Sequence, residues 1–407
     1  MTKVQPKLLK GFRDFLPEKA KKRQWLIDTL KKVFESYGFE PLETPALEYE
    51  EVLLGKYGDE GDKLMYRFED NGKRKVALRY DQTVPLARVV AQYQNELPMP
   101  FKRYQISNVW RAENTQKGRF REFLQMDTDV VGSSSLLSDA EILAVATKSL
   151  DKLGFRNFKI LINDRSVFMN LADSNSLSGK DLIIITRAID KLKKIGEEKV
   201  LEELISNGFT QEKATNILQS VKNTKPPAYI ENCSQILKNI GIDEEKIVFL
   251  PTLARGLDYY TGLIFEMEIE GYDAGSVAGG GRYDNLIGMF AGRQVPAVGF
   301  AFGFDRLMEA LEQFDLFPKN LFSVKALVTI SGDKNKSLEV YKKLRNENIP
   351  CELYLNEEDK LEKQLKYADR KNIPYSIIVD GSNIALKDME KREQENLDIE
   401  EIIKKLK

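Results

Sequence analysis

At 407 residues, 42% hydrophobic and 31% charged, the chain has the length of two or three domains and the make-up of a globular protein, not a disordered or fibrous one. Its formal charge of −1 leaves a nucleic-acid partner open, because a local basic loop can act within a neutral protein. It contains no histidine, which excludes Ser–His and Cys–His nucleophile pairs, HExxH zinc sites and a histidine base; the chemistry must rest on arginines, carboxylates, amides, backbone groups or a metal held by oxygen.

In chain order, the opening MTKVQPKLLKGFRDF lacks an apolar signal core, and no run reaches membrane-spanning length, so a soluble, cytoplasmic protein is expected. Cys233 and Cys351 are far apart, without metal-type spacing, which suits a reducing setting. Pro17, the helical spacing of Leu26, Leu30, Val33, Phe34 and Tyr37, and the stop at Gly38 predict an amphipathic helix over 18–37. FEPLETPALE follows, with Pro41 and Pro45 forbidding helix.

Residues 99–132 alternate as two strands joined by NTQKG at 114–118. Arg103, Gln105, Ser107, Arg111 and Glu113 share one face of the first strand, and Tyr104, Ile106 and Trp110 the other. In the second strand Arg121, Phe123, Gln125, Asp127 and Asp129 share a face, while Leu124, Met126 and Val130 take its reverse. A solvated face would favour Lys, Glu and Thr; this mixture of arginines, amides and carboxylates predicts a ligand floor. The loop with Gln116, Lys117, Arg119 and Arg121 is a basic finger suited to phosphate oxygens or a solvated charged turn.

Three short amphipathic helices over 178–222, closed by Pro226 and Pro227, predict a helical insertion or a cover for the sheet. ARGLDYYTG at 254–262 crowds Arg255, Asp258, Tyr259 and Tyr260 at the mouth of the strand LIFEMEIE. GGGRYDNL at 279–286 permits close backbone approach or a turn. AVGFAFGFDRL at 297–307 reads as a strand entering a helix, with Arg306 near the anion-favouring N-terminus. From about 323, alternating strands and helices predict a separate α/β domain with a parallel sheet.

LETPALE resembles motif 1 of the class II aminoacyl-tRNA synthetases, which builds a dimer interface around its proline, here Pro45. VWRAENTQKGRFREFLQMDTDVVG resembles motif 2, GFAFGFDRL motif 3, and ARGLDYYTG and AGGGRYDNL two histidine-specific motifs. In order and spacing the chain resembles the histidyl-tRNA synthetases over essentially its full length. The resemblance implies an α+β fold: a class II antiparallel-sheet catalytic domain over 1–322 with a helical insertion at about 165–227, and an α/β anticodon-binding domain over 323–407.

It also implies the reaction: ATP and L-histidine give histidyl-adenylate, and the histidyl group passes to tRNA(His). ATP is the co-substrate with Mg2+, no protein metal site is expected, and the partners are histidine, ATP, tRNA(His) and a second copy of the chain, with no membrane. Arg255 and Arg111 become the catalytic candidates, Arg255 where charge builds at the α-phosphorus and Arg111 at the α-phosphate and amino-acid carboxylate. Glu113 and Phe123 are placed at adenine, by hydrogen bonding and stacking, and Arg306 at the ATP tail. Asp81, Thr83 and Gln125 surround the α-amino group, with Gln82 counted in the same binding stretch. Asp129 and Tyr260 face the imidazole, Tyr259 and Tyr283 line the pocket, and Gln116 and Lys117 approach the tRNA acceptor end. The chain departs from many bacterial members at Asp81, where they carry glutamate. A rival reading is a synthetase-like, histidine-sensing regulatory subunit of ATP phosphoribosyltransferase; such paralogues lose the anticodon-binding domain and erode the arginine motif.

Overall fold

The computed structural model describes residues 4–407 apart from 57, 116–118, 175–176, 255–258, 320, 322–323 and 382, and of 58–60 and 173–174 it describes no side chains. The chain divides into two compact units, Met1–Phe317 and Pro318–Lys407.

The first unit is built on an eight-stranded sheet. Its order is Glu40–Pro41, Phe101–Trp110, Glu122–Val131, Ala297–Gly303, Ala278–Arg282, Leu263–Ile269, Phe158–Asp164 and Ile247–Phe249. The inner pairings are antiparallel, and only the two edge strands pair in parallel.

Period two divides the two faces. Tyr104, Met126, Val130, Ile160, Phe265 and Met267 enter a core roofed by the helices Pro17–Ser36, Leu136–Lys152 and Ala228–Asn239. The first helix forms as its spacing predicts: Pro17 opens it, Leu26, Leu30, Val33 and Phe34 are buried, and Gly38 leaves it at φ +76°. Phe101, Val131, Leu161 and Ile264 lie on the opposite face, in a second core with the helix Thr83–Gln92. The polar stripe of the hairpin lies on this second face.

Helices between Ser166 and Lys222 enclose a third core of their own, with Ile185, Leu204, Ile217 and Leu218 fully buried. Ala228–Asn239 instead sends Ile230, Cys233 and Leu237 into the main core. A three-stranded sheet of Leu47–Tyr49, Lys75–Leu78 and Arg67–Glu69, for which the sequence reading gave only the extended start, precedes the helix Thr83–Gln92.

In the second unit Cys351–Leu353, Ala326–Val328 and Tyr375–Asp380 are parallel neighbours, as strand–helix alternation predicts. Asn383–Asp388 and Gln394–Asn396 extend this sheet in antiparallel fashion, an addition the sequence reading lacks. Cys233 and Cys351 are buried free thiols. Among the described residues no helix is long and apolar enough to cross a membrane.

Candidate active site

The hairpin register assembles the floor. Ser107 pairs with Gln125, Gln105 with Asp127, and Arg103 with Asp129, all on the face away from the main core. On the neighbouring strands the same face carries Gly299, Ala301 and Gly303 opposite Asp129, Asp127 and Gln125, and then Gly281 and Gly279. Alternate small residues leave room above the sheet. There the chain forms a cleft of about 580 Å³.

Lining it are Asp81, Thr83, Gln125, Asp129, Tyr259, Tyr260 and Tyr283 from the expected amino-acid set, and Arg111, Glu113, Phe123 and Arg306 from the expected ATP set. The structure therefore gathers these eleven side chains, scattered from residue 81 to 306, around one cavity. Gln82 does not line it. Fully buried, its Nε2 donates to the carbonyls of Ser107 and Gln125 at 2.9 and 3.0 Å, so it braces the two floor strands. Arg255, Gln116 and Lys117 lie outside the described residues.

Asp129 is the most constrained group of the site. Arg103, itself fully buried, places Nη2 2.7 Å from Asp129 Oδ2, and the Tyr283 hydroxyl donates to Oδ1. Burial pushes the Asp129 carboxyl above its usual range, opposed by the Arg103 guanidinium and by the Tyr283 hydrogen bond, with Asp81 adding to the rise. Burial also raises the Tyr283 phenol, which the Asp129 charge reinforces, so Tyr283 remains the donor. The Tyr259 ring packs 4.9 Å from that of Tyr260 and 5.9 Å from that of Tyr283, forming an aromatic wall.

Gly299 is required beside this carboxylate. A Cβ there would stand 1.9 Å from Asp129 Oδ1, closer than real contacts allow. Gly299→Ala is expected to displace Asp129 at an overpacking cost of about 1–3 kcal/mol. A urea titration followed by circular dichroism checks this: an unchanged midpoint would mean that the strand pair yields without cost.

At the other end, Arg111 donates from Nε to the Tyr80 carbonyl at 3.1 Å, its guanidinium 4.4 Å from the Tyr80 ring centroid and 5.2 Å from that of Phe123. Arg306 donates to the Ser276 carbonyl at 2.7 Å, and Glu113 faces Arg119 at 3.6 Å. These groups make a cationic, aromatic end suited to a nucleotide triphosphate.

Three elements of the site escaped the sequence reading. Arg103, which period two puts on the polar face, is the buried partner of Asp129. Asp127 lines the cleft without an assigned role, although its same-face spacing with Gln125 and Asp129 carried the signal. Arg13 comes from far upstream to pair with Asp305 at 2.7 Å and to lie 3.2 Å from the Phe120 ring centroid, at two residues that line the cleft.

A family model described as histidyl-tRNA synthetase matches residues 11–307, and one described as anticodon binding domain matches residues 325–407. The histidine–tRNA ligase of Cytophaga hutchinsonii is 39% identical, with 99% of each chain covered. That of Treponema denticola is 40% identical over 99% of this chain and 98% of its own. The crystal structure of histidyl-tRNA synthetase from Nostoc sp. PCC 7120 shares the fold at a TM-score of 0.85 and 30% identity, covering 99% of this chain and 100% of that one. With a catalytic-type cleft in the first unit, the matched anticodon module after it and relatives aligned from end to end, the chain belongs to the histidyl-tRNA synthetase family.

Proposed function

We infer that the chain is a ligase that activates L-histidine with ATP to histidyl-adenylate and transfers the histidyl group to tRNA(His). The observation that carries this reading is a single cleft holding both a buried carboxylate clamped by Arg103 and Tyr283 and an arginine within cation–π distance of two aromatic rings.

In the first step an oxygen of the histidine carboxylate attacks the α-phosphorus, and pyrophosphate leaves from the opposite side. In the second, a hydroxyl of the terminal ribose of the tRNA attacks the adenylate carbonyl, and AMP leaves. Neither step needs a protein nucleophile; the work is alignment and positive charge placed in advance. Arg111 holds the α-phosphate and the histidine carboxylate together, Phe123 stacks on adenine, Glu113 hydrogen-bonds it, and Arg306 binds the triphosphate tail. Arg255, by its motif, adds charge at the α-phosphorus. Mg2+ enters as the MgATP substrate, held chiefly by the phosphates, as is usual for this ion.

Asp129 and Tyr260 face the imidazole, Asp81, Thr83 and Gln125 surround the α-amino group, and Tyr259 and Tyr283 shape the pocket. A site built to hydrogen-bond both ring nitrogens rejects apolar amino acids strongly, because they leave buried polar groups unpaired. Gln116 and Lys117 approach the acceptor end of the tRNA, and the chain works as a cytoplasmic homodimer, which sedimentation would test.

Histidine-dependent ATP–pyrophosphate exchange, followed by charging of tRNA(His), tests the reading. Exchange without charging would indicate a tRNA-independent ligase, and no exchange would favour the histidine-sensing regulatory subunit. The end-to-end relatives and the matched C-terminal module support the synthetase over that subunit. Since phosphate contacts release counterions, tRNA affinity is expected to fall steeply as salt rises. A flat salt dependence in a filter-binding titration would count against tRNA as the partner.

A further inference from the structure

Asp127 is a buried carboxylate of the cleft that the mechanism leaves without a task. It sits between Gln125 and Asp129 on the floor, 3% exposed. Gln125 Nε2 donates to its Oδ2 at 3.0 Å. The remaining acceptors of this pair, Asp127 Oδ1 and Gln125 Oε1, are buried and accept no hydrogen bond from the described residues. Unsatisfied buried acceptors are costly, and two joined acceptors in a ligand cleft form a receptor for a group rich in N–H donors.

Charge favours the same occupant. Asp81, Asp127 and Asp129 converge on the floor beside two buried cations, Arg103, paired with Asp129, and Arg79, whose guanidinium donates to the Asn108 and Thr44 carbonyls. Asp81 is also committed elsewhere, since its Oδ1 accepts from the backbone N–H of Thr83 and of Val84, both at 3.1 Å, at the start of the helix Thr83–Gln92.

We propose that Asp127 joins Asp81, Thr83 and Gln125 at the substrate's α-ammonium group and is its counter-charge, with Asp81 as a secondary acceptor. The inference rests on histidine activation as the function of the cleft. An ammonium offers three donors and no acceptor, which suits this set.

A proton accompanies the event. Burial pushes Asp127 up to about 8; Arg103 opposes the rise, Asp129 adds to it, the Gln125 hydrogen bond opposes it and Asp81 adds to it. The charged and titratable groups facing Asp127 are Arg103 on the adjacent strand, Asp129 on its own, Asp81 and Arg79 on the segment before the helix, and Tyr259 on the opposite wall. At neutral pH the carboxyl therefore carries its proton until the ammonium arrives. Binding breaks the O–H bond, the proton leaves to solvent, and the carboxylate takes the N–H donors instead. With no histidine in the chain, no protein imidazole adds to the proton count.

Calorimetric titration of the full chain with L-histidine, and with imidazole propionate (histidine without its amino group), tests this near neutral pH in buffers of differing ionisation enthalpy. Asp127→Asn is the variant to use, because asparagine matches the neutral carboxyl in size and the fold is expected to keep it. The substitution should weaken histidine by about tenfold to a hundredfold, leave imidazole propionate unchanged, and lower proton release on histidine binding by about one proton per site. Equal weakening of both ligands would overturn the proposal by assigning Asp127 a structural role, and unchanged histidine binding would overturn it as well. Failure of the unsubstituted chain to bind histidine would overturn the functional reading together with it. That outcome is distinct from failure of the ammonium seat alone, in which the unsubstituted chain binds histidine normally.

Discussion

Arg111→Ala should slow histidine-dependent ATP–pyrophosphate exchange by about a hundredfold to a thousandfold in kcat, the usual loss when one preorganised group facing developing charge is removed. The guanidinium is held by the Tyr80 carbonyl and flanked by the rings of Tyr80 and Phe123, so its charge is oriented before ATP arrives. Little reorganisation remains for the moment of reaction. Arg111→Lys keeps the charge but loses the planar fork and the stacking, and should recover only part of the rate. The side chain is only partly buried, so far-UV circular dichroism and the urea midpoint should stay near those of the unsubstituted chain. An exchange rate close to the original would remove Arg111 from the catalytic set.

Arg103→Met should have the largest effect on stability. The substitution leaves Asp129 buried without its cation, and breaking such a pair from one side costs about 3–5 kcal/mol. Burial already raises the Asp129 carboxyl, and Arg103 is a group that holds it down. Without Arg103 the folded-state value moves further above that of the unfolded chain. The folded variant then binds a proton that the unfolded chain has released, so its stability falls as pH rises through that range. Urea midpoints should therefore show a small deficit in acid and a growing one toward neutral and alkaline pH. Adding Asp129→Leu should restore much of the stability while abolishing histidine activation. A deficit independent of pH would mean that packing, not the stranded charge, explains the loss.

The floor of the site was legible because two extended strands obey period two. That rule alone separated Tyr104, Met126 and Val130, now in the core, from Gln125, Asp127 and Asp129, now in the cleft. It could not distinguish a residue that faces the ligand from one sealed beneath it. Arg103 is on the correct face yet fully buried, against Asp129 and the carbonyl of Gln82, and Gln82 comes from distant sequence. The bracing of the two floor strands by Gln82 is hidden from local sequence for the same reason. The C-terminal parallel strands were visible as apolar runs between helices. Gln394–Asn396 is three exposed polar residues and pairs only because Asn383–Asp388 offers an edge, so its strand character is tertiary in origin. The pairing of Arg13 with Asp305 spans almost the whole first unit, and no local pattern encodes it.

If Asp129 reads the imidazole, as proposed, the clamp on it bears on how this pocket could change its amino acid. Its carboxylate is fixed on one oxygen by Arg103, on the other by Tyr283, and on its flank by the bare backbone of Gly299. It cannot swing aside to admit a differently shaped side chain. A new specificity would require the acid, its buried cation and the tyrosine to change together, since each single exchange strands a polar partner in a dry site. Drift toward a neighbouring substrate therefore passes through poorly folded intermediates, and the recognition chemistry is protected by the same contacts that keep this part of the sheet folded.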